Sequence, residues 1–308
     1  MIQSFFGLII SLVVLIWSCE FAIKNSILVS KIFNIREIFV GIFIIAIGTS
    51  LPEFAATFQA LQMGAEGIVA GNLVGSNIAN ILLVGGIMVF PLKTLNAAKQ
   101  DQSTAIFFIC FSILFFFLIF FDFTLEIKFS LLFILLLILF FYFELKKPTE
   151  EETLSKENNY QSTIIIISKI IIAFIILFFS SQFFIAYAKD LTELLGVAET
   201  TVGVTVVAFG TSIPEIVATI IAIIKKQNNL AVGNILGSNI ANIFGITLIA
   251  IFMNGQINYY DLLTSIDKWI FLLASIIFFL MIWKKMAGKL LSSALIFAYL
   301  SYFTYLYL

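Results

Sequence analysis

The chain has 308 residues, of which 61% are hydrophobic and only 11% charged, with a net charge of −1. That much apolar surface excludes a water-soluble domain of this size, and the near-neutral balance gives no footing for nucleic acid. There is no histidine, which removes the commonest metal ligand and the usual proton relay near neutral pH.

Long runs without charge indicate membrane-spanning helices, each needing about 20 apolar residues to cross roughly 30 Å of hydrocarbon. Ten such segments are expected, at roughly 4–23, 38–62, 67–91, 104–121, 126–144, 162–188, 200–224, 229–253, 269–283 and 290–308. The opening residues to Trp17 lack the basic start and small-residue cleavage pattern of a signal peptide, so a mature helix is expected there. Glu20 stands four residues before Lys24, the spacing of a helix-end ion pair. Cys19 and Cys110 lie in apolar runs and read as buried thiols, not a disulfide. Residues 145–161 are the one long polar stretch, including Glu150-Glu151-Glu152, and read as a flexible cytoplasmic linker with a solvated charge run. They separate residues 1–144 from 162–308, with five expected segments in each part.

The two parts share one text. Gly48-Thr49-Ser50-Leu51-Pro52-Glu53 returns as Gly210-Thr211-Ser212-Ile213-Pro214-Glu215. Gly71-Asn72-Leu73-Val74-Gly75-Ser76-Asn77-Ile78-Ala79-Asn80-Ile81 returns as Gly233-Asn234-Ile235-Leu236-Gly237-Ser238-Asn239-Ile240-Ala241-Asn242-Ile243. Both pairs are displaced by 162 residues, so this is an internal repeat. Five crossings per copy make the second copy enter the membrane from the opposite side, the inverted repeat of secondary transporters. The fold expected is therefore an all-α membrane protein of ten transmembrane helices in two inverted five-helix repeats. The basic residues agree with that count. With both termini outside, thirteen Lys and Arg fall in cytoplasmic loops, among them Lys24, Arg36, Lys93, Lys146, Lys225 and Lys284. Only Lys128, Lys189 and Lys268 fall on the outward side.

Glu53 and Glu215 lie inside apolar spans, where a charged side chain costs about 3 kcal/mol on insertion scales. Each follows a proline, which removes a backbone donor and frees a carbonyl one turn earlier. Such a break is tolerated at membrane depth where it lines a cavity or faces protein. Carbonyls, hydroxyls and a carboxylate together suit a hard, dehydrated cation. Ala46, Thr49, Ser50 and Glu53 share one helix face, as do Ala208, Thr211, Ser212 and Glu215. Asn72, Ser76 and Asn80 form a polar stripe on the next segment, matched by Asn234, Ser238 and Asn242. The glycines at Gly71, Gly75, Gly233 and Gly237 read first as close helix packing. Asn77 and Asn239, on the flank of the stripe, read as interhelical hydrogen bonds.

Gly-Thr-Ser-Leu-Pro-Glu followed by Gly-Ser-Asn-Ile-Ala-Asn, in two copies, resembles the α-repeats of prokaryotic-type sodium/calcium exchangers in the cation/Ca2+ antiporter superfamily. The resemblance implies a Ca2+ site of Glu53, Glu215 and the Thr49 and Thr211 oxygens. It implies flanking Na+ sites from the Ala46 and Ala208 carbonyls and Ser50, Ser76, Ser212 and Ser238, with Asn80 and Asn242 at the centre. Several family members carry Asp where this chain has Asn242, including the potassium-dependent ones. Asn at both central positions argues for K+-independent exchange. The Ca2+/H+ branch has a His-containing motif that this chain lacks. The expectation is an antiporter of the plasma membrane, not an enzyme, that extrudes Ca2+ against Na+. It needs no cofactor beyond these ions and no partner beyond the bilayer, and a single chain is expected to suffice. The peripheral helices at 4–23 and 162–188 are the expected moving pair. A cation channel and an intramembrane hydrolase with paired carboxylates are the readings from other classes.

Overall fold

A computed structural model describes residues 2–95, 99–147, 163–194 and 208–306. The described chain is helical apart from short connections. In order the helices are α1 (Ile2–Phe33), α2 (Glu37–Thr49), α3 (Leu51–Gln62), α4 (Glu66–Val89), α5 (Lys99–Phe120) and α6 (Ile127–Lys146). Then come α7 (Thr163–Leu194), α8 (Ala208–Thr211), α9 (Ile213–Ile224), α10 (Asn228–Asn254), α11 (Ser265–Trp283) and α12 (Lys289–Tyr305). Among the described residues seven helices are long and apolar enough to cross a membrane, or eight if α2 and α3 form one bent span. The linker expected at 145–161 falls mostly outside the described residues, as does the start of the segment expected at 200–224.

α1 and α7 are 32 residues each, longer than the segments read from hydropathy. The polar residues that seemed to end the first segment continue it instead. Asn25 is buried and donates to the Phe21 carbonyl 2.7 Å away, one turn back on its own helix. These two helices pack against each other along their length, at the side of the other elements. Their outer faces expose Ile10, Trp17, Ile171 and Phe179 to the surroundings, as lipid-facing residues do.

Inside lie α2, α3, α4, α8, α9 and α10. α10 lies on α2 with almost no side chain between them. A Cβ on Gly233 would come within 2.4 Å of the Ile38 carbonyl oxygen, and one on Gly237 within 2.5 Å of the Ile42 backbone. Close backbone approach of this kind is what small residues permit in membrane helices. Helix α3 packs on α4, and α9 packs on α10. Cys19 is buried here and its thiol faces the Pro214 carbonyl at 3.8 Å. Cys110 is exposed on α5 and so departs from the expectation of a buried thiol, because an apolar run also supplies a helix's lipid-facing side.

Contacts between connections sort the molecule into two ends. At one end Leu95 bonds to Lys285, Gly288 to Val89, and Gln102 to Trp283. Arg36, Thr104 and Lys147 surround the buried Glu144 carboxylate there; Thr104 Oγ1 lies 2.9 Å from it and Arg36 3.4 Å. At the other end Asn254 bonds to Glu66, Asn258 to Asp122, and a two-residue antiparallel ribbon pairs Leu125–Glu126 with Gln256–Ile257. Glu20 pairs with Lys225 at 2.8 Å and not with Lys24. The connection after α9 brings that lysine up to α1, which four-residue spacing alone cannot reveal.

Candidate cation site

Each repeated hexapeptide forms a helix break. α2 ends at Thr49 and α3 starts at Leu51, and the two axes differ by 42°. The hinge residues match: Ser50 has φ −82° and ψ 4°, and Ser212 has φ −82° and ψ −1°. Pro52 and Pro214 sit in the first turn beyond the hinge, where a missing N–H is tolerated. The proline nitrogen leaves the carbonyls of Gly48 and Gly210 without a helical donor. Large side chains of α7 crowd these glycines. A Cβ on Gly48 would meet the Phe174 ring at 2.1 Å, and one on Gly210 would meet Ile185 at 2.7 Å.

The polar stripe carries a feature that its sequence does not announce. In α4 the helix widens to a π turn over Asn80–Val84, and in α10 over Asn242–Ile246. Both turns begin at the central asparagine of the repeat. A π turn displaces the residues around it and is frequent at functional sites. A third runs over Gly41–Ile45 in α2, and its counterpart in the second copy lies outside the described residues.

These elements bring the two copies into one cluster. Ser50 Oγ donates to Glu215 Oε1 at 3.2 Å, and Ser238 Oγ to the same oxygen at 3.5 Å. Thr49 Oγ1 lies 3.2 Å from Asn234 Oδ1 and 3.5 Å from Ser238 Oγ. Asn242 Nδ2 donates to Ser76 Oγ at 2.9 Å. Glu53 and Glu215 are both 0% exposed, and Glu53 lies near enough to feel the charge of Glu215. Thr49, Ser50, Thr211, Ser212, Ser76, Ser238, Asn80 and Asn242 are buried as well. The Ala46 carbonyl accepts from Ser50 N–H at 2.9 Å and from Thr49 Oγ1 at 3.2 Å. Ala208 begins α8, the helix that leads into the second break.

Several buried atoms of the cluster have no hydrogen-bond partner among the described residues. They are both carboxylate oxygens of Glu53, Oε2 of Glu215, both amide atoms of Asn80, Oδ1 of Asn242 and Oγ of Ser212. An unpaired buried carboxylate is strongly unfavourable unless a cation neutralises it. Nearly all these atoms are oxygens, and both copies supply them. No group of three or more His, Cys, Asp or Glu occurs among the described residues, so the donor set is two carboxylates amid neutral oxygens. That set fits hard cations such as Ca2+ and Na+.

Several residues stand apart from their reading in sequence. Asn77 and Asn239 donate to Leu73 and Ile235 on their own helices at 2.6 and 2.7 Å, so they do not bridge helices through those amides. Asn72 Nδ2 donates to the Glu53 carbonyl and to Thr57 Oγ1, both at 3.0 Å. Thr57 and its counterpart Thr219, both 0% exposed, went unread. Their spacing was the available signal, since each lies four residues after its glutamate, on the same helix face, in both copies.

A sequence profile described as sodium/calcium exchanger protein matches residues 3–146 and again 165–308. The sodium/calcium exchanger MaX1 of Methanosarcina acetivorans is 31% identical, over 78% of this chain and 80% of its own. The inner membrane protein YrbG of Escherichia coli is 28% identical, over 90% of this chain and 88% of its own. Solved structures of the sodium-calcium exchanger NCX_Mj share the fold, with a TM-score of 0.85 over 98% of both chains at 24% identity. The profile spans nearly the whole chain, and with it the breaks, the stripes and the cluster they build: the chain belongs to the sodium/calcium exchanger family.

Proposed function

We propose that this protein is an antiporter that extrudes Ca2+ in exchange for Na+, with the buried cluster as its one transport site. The observation that carries the reading is Glu53, fully buried with both carboxylate oxygens unpartnered, across from Glu215 and amid hydroxyls and amides of both copies. Glu53, Glu215, Thr49 and Thr211 hold Ca2+. The Ala46 and Ala208 carbonyls with Ser50, Ser76, Ser212 and Ser238 hold Na+ on the flanks, and Asn80 and Asn242 complete the centre. A channel needs a continuous wet path, whereas these side chains are closed from solvent. A hydrolase needs an activated water and a substrate groove, which this symmetric donor set does not call for.

The topology proposed is ten crossings in two inverted repeats, 1–144 and 162–308, joined by a cytoplasmic linker at 145–161. The double profile match supports the repeat. The two-ended sorting of connections supports the alternation, because the connections carrying Lys93, Lys284 and Lys285 meet at one end and those carrying Glu66 and Asp122 lie at the other. A basic cytoplasmic end puts both termini outside, in a plasma membrane. The site carries −2 when both glutamates are ionised, zero with one Ca2+ and +1 with three Na+. Exchange of three Na+ for one Ca2+ therefore moves one positive charge inward per cycle. A potential of 100 mV, negative inside, adds ~2.3 kcal/mol to Ca2+ extrusion.

The test is replacement of either carboxylate. Glu53→Gln and Glu215→Gln each abolish Ca2+ transport in reconstituted vesicles while the protein still inserts and elutes as a single species. Removal of a membrane-buried charge eases insertion, so lost transport is not a folding failure. Near wild-type flux in either variant would remove that carboxylate from the Ca2+ site.

A further inference from the structure

The Thr49 hydroxyl has one proton and three oxygens in reach. They are the Ala46 carbonyl and Asn234 Oδ1, each at 3.2 Å, and Ser238 Oγ at 3.5 Å. A hydroxyl that binds a cation offers its lone pairs and must send its proton elsewhere. Ala46 and Ser238 are themselves cation ligands in the exchanger reading. Asn234 is the remaining acceptor.

The orientation of the Asn234 amide is fixed by its other contacts. Its Nδ2 donates to the Glu215 backbone carbonyl at 3.4 Å and to Thr219 Oγ1 at 3.2 Å. A carbonyl accepts only, so the NH2 group must face it, which turns Oδ1 toward Thr49. Asn234 is 1% exposed and Thr219 0%, so both lie away from bulk solvent. The first copy builds the same seat, with Asn72 Nδ2 between the Glu53 carbonyl and Thr57 Oγ1. A seat built twice at one spacing is a designed part of the helix pair.

We propose that Asn234, oriented by Thr219, is a positioning residue that accepts the Thr49 proton and so leaves the Thr49 oxygen free to hold the cation. It thereby links the break of the first copy to that of the second. The inference rests on the exchanger reading, in which Thr49 is a ligand.

Half-saturating Ca2+ and maximal rate are measured separately for Na+-driven uptake by purified protein in vesicles. Thr219→Val, close to isosteric, and Asn234→Leu each raise half-saturating Ca2+ by about tenfold or more, the usual effect of removing a group that orients a metal ligand. Thr219→Ser, which keeps the hydroxyl, restores the wild-type value. In a Thr49→Val background Asn234→Leu adds little, because both changes act through one hydroxyl. Multiplying effects of Thr49→Val and Asn234→Leu, or unchanged half-saturation in Thr219→Val, would overturn the inference while leaving the exchanger reading intact. Thr219→Val carries the test if Asn234→Leu fails to accumulate. A wild type without Na+-driven Ca2+ uptake would overturn both.

Discussion

At the scale of the residue, the decisive chemistry is the neutrality of the central pair. Asn242 donates to Ser76 Oγ, and the Ser76 hydroxyl passes its own proton to the Asn72 carbonyl at 2.6 Å. An aspartate at 242 reverses this chain, since a carboxylate only accepts and Ser76 must turn toward it. It also adds a third negative charge, which lowers the charge of every loaded state by one. Asn242→Asp is therefore expected to make Na+-driven Ca2+ uptake depend on K+ or protons, while the wild type is indifferent to K+. A K+ requirement in the wild type would contradict this role of Asn242. The carboxylates, hydroxyls and amides of the cluster were legible in sequence because they recur at one displacement. The bonds among them were not. That Asn72 and Asn234 seat backbone carbonyls, and that Glu20 chooses Lys225, depends on which helices are neighbours, and spacing along one helix does not encode that.

At the scale of the element, the breaks followed from sequence and the π turns did not. Proline after a Gly-Thr-Ser run removes one donor at a known place, whereas nothing in Asn80–Val84 or Asn242–Ile246 marks the widening. The glycine reading holds for Gly233 and Gly237, whose backbone touches α2, but not for Gly71 and Gly75, where an added Cβ would meet no described atom within 4 Å. Gly237→Ala drives a methyl to 2.5 Å from the Ile42 backbone, and overpacking of this kind costs about 1–3 kcal/mol. The expected result is a lower unfolding temperature and weaker transport. Gly67→Ala, whose methyl meets nothing described within 4 Å, leaves both unchanged. Equal melting of the two variants would contradict the close packing of α10 on α2. The paired helices α1 and α7 are the proposed moving part, and the Glu20–Lys225 contact ties α1 to the connection beyond α9. Cysteines at positions 20 and 225, with Cys19 and Cys110 replaced by alanine, are expected to cross-link through a short bifunctional thiol reagent. Cross-linking then stops exchange, and the same reagent leaves the single-cysteine variants active. Full exchange in the cross-linked protein would fix α1 as part of the static body.

At the scale of the whole molecule, both repeats supply side chains to one buried polar cluster. Ser50 reaches Glu215, Thr49 reaches Asn234 and Asn242 reaches Ser76, so hydrogen bonds cross from one copy to the other. Composition and the repeat sufficed to read a helical membrane protein. The lengths of α1 and α7 exceeded the reading, because a helix that outruns the bilayer continues through polar residues that hydropathy counts as loop. The claim at the centre of this picture is that the cluster exchanges Na+ for Ca2+, and Ca2+ uptake by vesicles of the purified protein tests it most directly. Vesicles loaded with Na+ and diluted into Na+-free medium take up Ca2+, the uptake speeds when the interior is held positive, and vesicles loaded with K+ or Li+ take up none. Uptake that proceeds equally from K+-loaded vesicles, or that follows a pH gradient without Na+, would contradict it.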